Sequence, residues 1–227
     1  AEWAPSRDGS HVAYAEQVSG SDWRTIRVLD VTTGETLEDE VERARFTQID
    51  WLHDGSGFFY ARFPDAGAGT SSQATISDHA VYFHALGTLQ AQDRLLYANP
   101  TQPTMVHVFD VTHDGRYAIV SSTPGVMSNT LTVIDLTSHD WEPRQLVADL
   151  EHEWGVIGND GTTLYIVTTE DAERRKIVTV DLAAANPIFN DLIVEDEQVL
   201  TSAWLLGGRL LASYLDDAKT EIRRFTL

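Results

Sequence analysis

The chain has 227 residues, 42% hydrophobic and 9% aromatic, a length and composition typical of one folded domain with a sizeable core. It contains no cysteine, which excludes a disulfide framework, a thiolate nucleophile and a cysteine-ligated zinc site. Its 35 acidic and 16 basic residues give a formal charge of -19, which repels phosphate backbones and anionic lipids, so neither nucleic acid nor a membrane is an expected partner.

A glycine turn recurs five times along the chain. The copies are Asp8-Gly9, Asp54-Gly55, Asp114-Gly115, Asp160-Gly161 and Gly207-Gly208. The second residues of successive copies are 46, 60, 46 and 47 positions apart. These pairs supply the positive φ that tight two-residue hairpins need, so each copy predicts an antiparallel reversal.

Apolar runs rich in β-branched and aromatic residues surround each turn and predict strands. The runs directly after the turns are 11–15, 58–63, 117–121, 164–168 and 210–215. A second set follows at 25–31, 80–86, 131–136, 176–182 and 221–227, and short outer strands are expected at sites such as 94–97 and 145–148.

A repeat of this length with four antiparallel strands is typical of propeller blades, whereas a sandwich does not repeat itself. The sequence therefore predicts an all-β protein, a β-propeller of about five blades in a single domain, 1–227. The blades are expected at roughly 1–41, 42–100, 101–148, 149–196 and 197–227, the last without its outer strand. An aromatic residue ahead of each turn is expected to pack between blades: Trp3, Trp51, Phe109, Trp154 and Trp204.

Two other features, the loop segment 65–78 and the histidines before Asp-Gly turns, are explained by structural roles rather than by ligand binding. The Gly, Ala, Ser and Thr segment 65–78 lengthens one loop, and it lacks the Gly-Lys-Ser/Thr ending of a phosphate loop. His53 and His113 precede Asp-Gly turns without metal-ligand spacing, so hydrogen bonding in the turn is expected. The sequence predicts no metal site and no cofactor.

Asp50 and Asp110 are the carboxylates to consider for chemistry. Each lies five residues before its turn glycine, so both are expected at equivalent positions facing a central channel. Paired acids of this kind serve glycosidases as general acid and base, but they also cap backbone amides or sit solvated in an acidic pore. No G-x-S-x-G nucleophile elbow occurs, so no catalytic residue is predicted.

Several stretches match one known family in combination. They are Ser-Gly-Ser-Asp-Trp at 19–23, Glu-Arg-Ala-Arg-Phe at 42–46, the run 51–60, Tyr-Phe-His-Ala-Leu-Gly-Thr at 82–88, Gln-Asp at 92–93 and Asp-Gly-Arg-Tyr at 114–117. Together they resemble blade segments of the prolyl oligopeptidase family, over essentially the whole chain and most strongly up to residue 123. Oligopeptidase B has similar segments, but 19–23 and 42–46 favour the prolyl branch.

The resemblance implies a seven-bladed propeller that caps an α/β-hydrolase domain and restricts entry to short peptides. The Ser, Asp and His triad of the family belongs to that other domain. Phe46 matches a phenylalanine near the substrate cavity, with strand packing as the alternative. Ser122 stands where the family has an arginine near the substrate, so both residues are candidates for a substrate-facing position.

We therefore expect a noncatalytic propeller fragment, truncated or engineered, that serves as a folding unit of a serine peptidase. The alternatives are a module that binds a peptide or another ligand, and a five-bladed glycosidase-like enzyme. A peptidase catalytic domain is the possible partner. A closed monomeric ring is favoured over an open arc or a dimer, and the chain is expected to be soluble, in the cytoplasm rather than secreted.

Overall fold

The computed structural model describes residues 2–17, 22–64, 77–125 and 128–227. Most of the extended loop predicted at 65–78 lies outside these residues, as do Ser19, Gly20 and Ser21 of one family motif. No helix in the described part of the chain is long and apolar enough to cross a membrane.

The strands come in successive groups. The first group is β1 (Glu2–Pro5), β2 (His11–Gln17), β3 (Arg24–Asp30) and β4 (Thr36–Ala44). The second is β5 (Asp50–Trp51), β6 (Gly57–Arg62), β7 (Ala80–Ala85) and, after a 3₁₀ turn at Gln90–Gln92, β8 (Arg94–Ala98). The third is β9 (Val106–Val111), β10 (Tyr117–Thr123), β11 (Thr130–Asp135) and β12 (Pro143–Val147).

The remaining strands are β13 (Trp154–Asp160), β14 (Thr163–Thr168), β15 (Lys176–Asp181), β16 (Asn190–Ile193), β17 (Val199–Leu206), β18 (Arg209–Asp216) and β19 (Lys219–Thr226). They form a four-stranded sheet β13-β14-β15-β16 and a three-stranded sheet β17-β18-β19, and the third group orders as β12-β11-β10-β9. The predicted all-β blades of mostly four antiparallel strands, with a three-stranded last sheet, are confirmed.

The first two groups differ from the prediction because they share one eight-stranded sheet. Their link is a single pair, Ala44 of β4 with Arg62 of β6. The inner strand β5 pairs only two residues with β6, which leaves the Arg62 end of β6 open to β4.

The chain divides into two compact units, Ala1–Pro124 with Thr132–Arg144, and Gly125–Leu131 with Gln145–Leu227. The first unit has one apolar cluster around Phe58 and another around Phe109, and the second unit has a cluster around Leu210. The side chains of these three residues are almost completely buried. Assignment of 1–227 to one domain, with the blade boundaries given above, stays a prediction.

The rings ahead of the turns divide into two classes. Trp51, Phe109 and Trp154 are buried, as predicted, and the Trp51 indole donates a hydrogen bond of 2.9 Å to the carbonyl of Ala4 in the preceding strand group. The prediction is wrong for Trp3 and Trp204, which are 66% and 46% exposed.

Strand alternation explains both exposed rings. Ala4 and Ala203, the direct neighbours of Trp3 and Trp204, pack in the apolar clusters. Because successive side chains of a strand point to opposite faces, each tryptophan is turned away from the cluster that its neighbour enters.

The first three turns are four-residue loops rather than the predicted two-residue reversals. In the first, the N–H of Ser6 donates to the carbonyl of His11, and Gly9 takes the left-handed φ of 74°. Asp8 Oδ1 accepts the N–H of Ser10 at 3.0 Å. The aspartate therefore closes the loop through its side chain, and the glycine supplies the backbone conformation.

Asp54-Gly55 and Asp114-Gly115 repeat this arrangement. Two-residue reversals occur only later among the five signals, at Gly161-Thr162 and at Gly207-Gly208, where the flanking residues pair directly. Each of the five glycine signals thus marks a reversal, but the loop length depended on the residues around it.

His53 reaches the neighbouring turn instead of bonding within its own. Its ring nitrogen Nδ1 lies 2.9 Å from the Arg7 guanidinium, which also donates to the carbonyl of His113 at 2.8 Å. A Cβ on Gly115 would lie 2.2 Å from the His53 ring, so the ring occupies the space that glycine leaves open.

Gly55 and Gly115 allow a matched test, because they have φ values of 73° and 74° in equivalent loops. A Cβ on Gly55 meets nothing within 4 Å. We expect Gly55→Ala to lower the free energy of unfolding by about 1 kcal/mol through the positive φ alone. Gly115→Ala should lower it by about 2–3 kcal/mol, because the His53 ring must also move.

Urea unfolding of both variants measures the difference. In a His53→Ala background the effect of Gly115→Ala should fall to that of Gly55→Ala. An undiminished effect in that background would contradict the contact.

Candidate functional site

Phe46 is the exposed member of the pair predicted to face substrate. It lies between β4 and β5, is 48% exposed, and has a φ of 51°, a conformation that bulky residues rarely adopt. Its ring meets the buried ring of Phe63 edge to face, with centroids 6.2 Å apart. Phe63 thus anchors an aromatic surface that remains open to solvent.

The guanidinium of Arg45 lies against two aromatic rings. Its Cζ is 4.8 Å from the centroid of Phe46 and 5.2 Å from that of Trp23, which is the distance range of cation–π contacts. Nη2 donates to Asp22 at 2.9 Å, whereas the buried Nε has no hydrogen-bond partner in the described part of the chain. The side chain is only 14% exposed.

A buried chain of polar side chains supports this loop. His79 Nε2 donates to the backbone carbonyl of Arg45 at 3.0 Å, and His79 Nδ1 accepts a hydrogen bond from the backbone N–H of His107 at 3.0 Å. These two bonds fix one neutral tautomer of His79. His107 Nδ1 in turn lies 2.8 Å from the hydroxyl of Ser122.

Ser122 has no exposed surface. It pairs with His107 across strands β9 and β10, and its hydroxyl is engaged by the ring of that histidine. Of the two residues predicted to face substrate, only Phe46 offers a surface that a bound molecule can reach. Ser122 supports the Phe46 loop indirectly, because its hydroxyl begins the hydrogen-bonded chain that runs through His107 and His79 to the Arg45 carbonyl.

The two buried histidines make the loop sensitive to acid. Burial lowers the pKa of His79 and of His107 to about 4, and in His107 the charge of His79 adds to the effect. A histidine with a folded pKa below its unfolded value binds fewer protons when folded, so stability falls as the pH drops from about 6.5 toward 4.

We expect the wild type to lose about 2 kcal/mol more unfolding free energy than His107→Gln between pH 7 and pH 5. Urea titrations at the two pH values measure this difference. Nitrogen-15 spectra provide a direct check, since neither ring should titrate above pH 5. A ring that becomes protonated near pH 6.5 would contradict the expectation.

Asp50 and Asp110 lie at equivalent positions of β5 and β9, as the spacing predicted, and they interact. Burial raises the pKa of Asp50 to about 7, and the charges of Asp110 and then Glu2 add to the rise, against a backbone hydrogen bond from Val111. Desolvation also raises the pKa of Asp110, although its side chain is more exposed. Asp50 Oδ2 is buried with no hydrogen-bond partner in the described ranges.

The negative charge of one carboxylate thus makes ionisation of the other less favourable. Among the described residues, no three or more histidine, aspartate or glutamate side chains are placed so that they could hold a metal ion together. The assignment of Asp50 and Asp110 to a channel that binds a ligand stays a prediction.

A second buried cluster lies where the sequence predicted only a family motif. His84 is completely buried, with Nδ1 2.7 Å from Asp93 and Nε2 3.1 Å from Asp39. Tyr60 donates to the other oxygen of Asp93 at 2.6 Å, and the N–H of Gly87 donates to Asp39 at 2.6 Å. The cluster joins β4 to β7 and to the segment before β8.

Both nitrogens of His84 face carboxylates, which favours the doubly protonated ring. Burial lowers its pKa, but the hydrogen bond and charge of Asp93, followed by those of Asp39, outweigh burial and raise the pKa above its usual value. The His-Ala-Leu-Gly-Thr and Gln-Asp motifs thus supply His84, Gly87 and Asp93, whereas Asp39 has no local signal that marks it as their partner.

Comparison with known proteins identifies relatives of the whole chain. The family described as "Prolyl oligopeptidase, N-terminal beta-propeller domain" matches residues 1–227. The prolyl endopeptidase of Elizabethkingia meningoseptica is 32% identical over 224 residues, which cover 97% of this chain and 31% of that protein. Prolyl oligopeptidase A of Galerina marginata is 33% identical over 242 residues, covering 97% and 33%.

Solved structures agree in fold. One from a study of two prolyl endopeptidases and their inter-domain dynamics has a TM-score of 0.91 at 33% identity and covers 100% of this chain and 32% of its own. Prolyl oligopeptidase B of Galerina marginata, bound to a 35mer hydrolysis and macrocyclization substrate, has a TM-score of 0.90 at 26% identity and covers 99% and 33%. The chain therefore spans about a third of the length of the relatives it matches.

Proposed function

This chain belongs to the prolyl oligopeptidase family, as part of its N-terminal β-propeller domain, and we propose that it gates access of short proline-containing peptides to a serine peptidase domain. In this proposal the catalytic serine, aspartate and histidine belong to the hydrolase domain. The 227 residues hold the noncatalytic propeller region and contribute selection rather than bond cleavage.

The observation that carries the proposal is the match of the propeller family across residues 1–227, together with a structural relative that aligns over 100% of the chain. The curated relatives are named as prolyl endopeptidases and prolyl oligopeptidases. A peptide is the substrate class to propose, since these relatives are named as peptidases and one structural relative is bound to a 35mer hydrolysis and macrocyclization substrate.

Phe46 is the residue we assign to the peptide side of this domain. It is the large aromatic side chain of the loop after β4 that remains 48% exposed. A rigid ring supported by Phe63 provides apolar contact area with little loss of conformational entropy on binding.

A chimeric enzyme tests the proposal. Residues 1–227 replace the matching propeller segment of the Elizabethkingia meningoseptica prolyl endopeptidase, and cleavage of a short proline-containing peptide is compared with cleavage of an unfolded protein that contains the same sequence. We expect a folded chimera to cleave the peptide and to spare the protein, as the parent enzyme should in parallel.

Circular dichroism and gel filtration establish that the chimera is folded before activity is read. A folded chimera that cleaves the long chain as readily as the peptide would contradict gating. A folded chimera with no activity on either substrate would contradict the assignment to this type of peptidase.

A further inference from the structure

The guanidinium of Arg45 makes fewer hydrogen bonds than its donors allow. Its Nε is buried without a partner in the described part of the chain, and its ion pair is a single bond from Nη2 to Asp22, a carboxylate that is 68% exposed. Arg175, by contrast, directs both Nε and Nη2 to Glu153. A buried donor without a partner is unfavourable, so the guanidinium of Arg45 has hydrogen-bonding capacity that its contacts in the described part of the chain do not use.

A buried Nε without a hydrogen-bond partner does not by itself define a site, because Arg62 and Arg116 each have one as well and each lies over a single ring, that of Tyr82 and that of Tyr117 respectively. Arg45 differs in being placed against two rings, one of which is exposed. Arg116 is therefore a matched control for the properties that the two arginines share.

Backbone strain surrounds Arg45. Arg43 and Phe46, two and one residues away, have φ values of 61° and 51°. Left-handed conformations of such residues are unfavourable and are found preferentially at active sites and ligand-binding loops. The bond from His79 to the Arg45 carbonyl holds the strained segment in place.

The geometry points to Arg45 as a carboxylate-binding residue for peptides, with the exposed ring of Phe46 packing against the apolar groups beside that carboxylate. This inference rests on the proposed function, which makes short peptides the ligand class. A guanidinium shielded by aromatic rings forms stronger charge-assisted bonds than one in open water. The overall charge of -19 opposes anion binding, so a carboxylate bound at this loop depends on the cations beside it, Arg45 and also Arg43, whose Cζ lies 4.8 Å from the Trp23 centroid.

The carboxylate has two possible sources in a peptide, the C-terminus and an acidic side chain. Three versions of one proline-containing pentapeptide separate them: the free acid, the C-terminal amide, and an amide with one internal glutamate. The 227-residue chain is titrated with each at physiological ionic strength. The chemical shift of the Trp23 indole N–H reports binding at this loop.

We expect at least one carboxylate peptide to bind about tenfold or more tightly than the uncharged amide. Arg45→Gln should remove this preference, whereas Arg116→Gln should retain it. Arg45→Lys keeps the charge but loses the planar fork, so its preference should be intermediate. The Lys variant also guards against misfolding of the Gln variant, which thermal unfolding detects.

Equal binding of all three peptides, or no binding of any, would overturn the inference. So would equal losses in Arg45→Gln and Arg116→Gln. The same peptides in the chimeric enzyme distinguish the two proposals: a chimera that discriminates by length but not by carboxylate supports gating and rejects the role of Arg45.

Discussion

Replacement of His84 by glutamine is expected to lower the free energy of unfolding by about 3–5 kcal/mol. The variant removes the positive ring between Asp39 and Asp93 and leaves two buried carboxylates facing a neutral amide. An unpaired charge inside the protein lowers the free energy of unfolding by far more than a surface ion pair raises it. Urea unfolding at pH 6 followed by circular dichroism measures the loss.

The pH dependence has a defined sign. The folded pKa of His84 is raised, so its contribution is fully present below the unfolded value of about 6.5 and is lost as the pH rises through the folded pKa. The difference between wild type and His84→Gln should therefore be largest in mild acid and should shrink in alkaline solution.

Tyr60→Phe is the control for this cluster. It removes one hydrogen bond to the charged Asp93 but keeps the ion pairs, so a loss of about 1.5–3 kcal/mol is expected. Adding Asp39→Asn to His84→Gln should restore part of the lost stability, because one buried charge is then removed. A loss below that of Tyr60→Phe, or one that does not change with pH, would show that the histidine is not held as a cation.

Most strands could be predicted from the sequence, whereas the pairing of β4 with β6, which joins the first two groups in one sheet, could not. Strand alternation and the recurrence of Asp-Gly signals are local properties, and the predicted runs at 11–15, 117–121 and 164–168 lie inside β2, β10 and β14. Loop length was harder to predict from the sequence, because in the first three loops an aspartate side chain accepts a backbone N–H and stabilises a four-residue loop.

The candidate sites were only partly predictable, since they depend on contacts between distant segments. Phe46 was found through a family motif, but its neighbours Trp23 and Arg45 come together only after β3 and β4 are paired. Asp39 meets His84 across 45 positions of sequence, which no spacing rule marks. The burial of Ser122 could not be predicted, because a polar strand residue carries no sequence signal that distinguishes a buried position from an exposed one.

Asp50→Asn is expected to stabilise the protein at pH 8, by about 2–4 kcal/mol. The folded pKa of Asp50 is about 7, well above the unfolded value of 3.8, so the folded state holds a proton that the unfolded state releases. Stability contributed by this group is full below pH 4 and is lost as the pH rises through 7. Asparagine carries no charge and so removes that loss, which urea unfolding at pH 4 and pH 8 measures.

The origin of the raised pKa provides the control. Asp110→Asn and Glu2→Gln each remove a charge that acts on Asp50, and the Asp110 variant should lower the pKa of Asp50 more, because Asp110 has the larger influence. Carbon-13 titration of the Asp50 carboxyl group follows both shifts. If Asp50→Asn is no more stable than wild type at pH 8, or if Asp50 titrates near 4 in the wild type, then burial and the charge of Asp110 do not keep the Asp50 carboxyl group protonated at neutral pH.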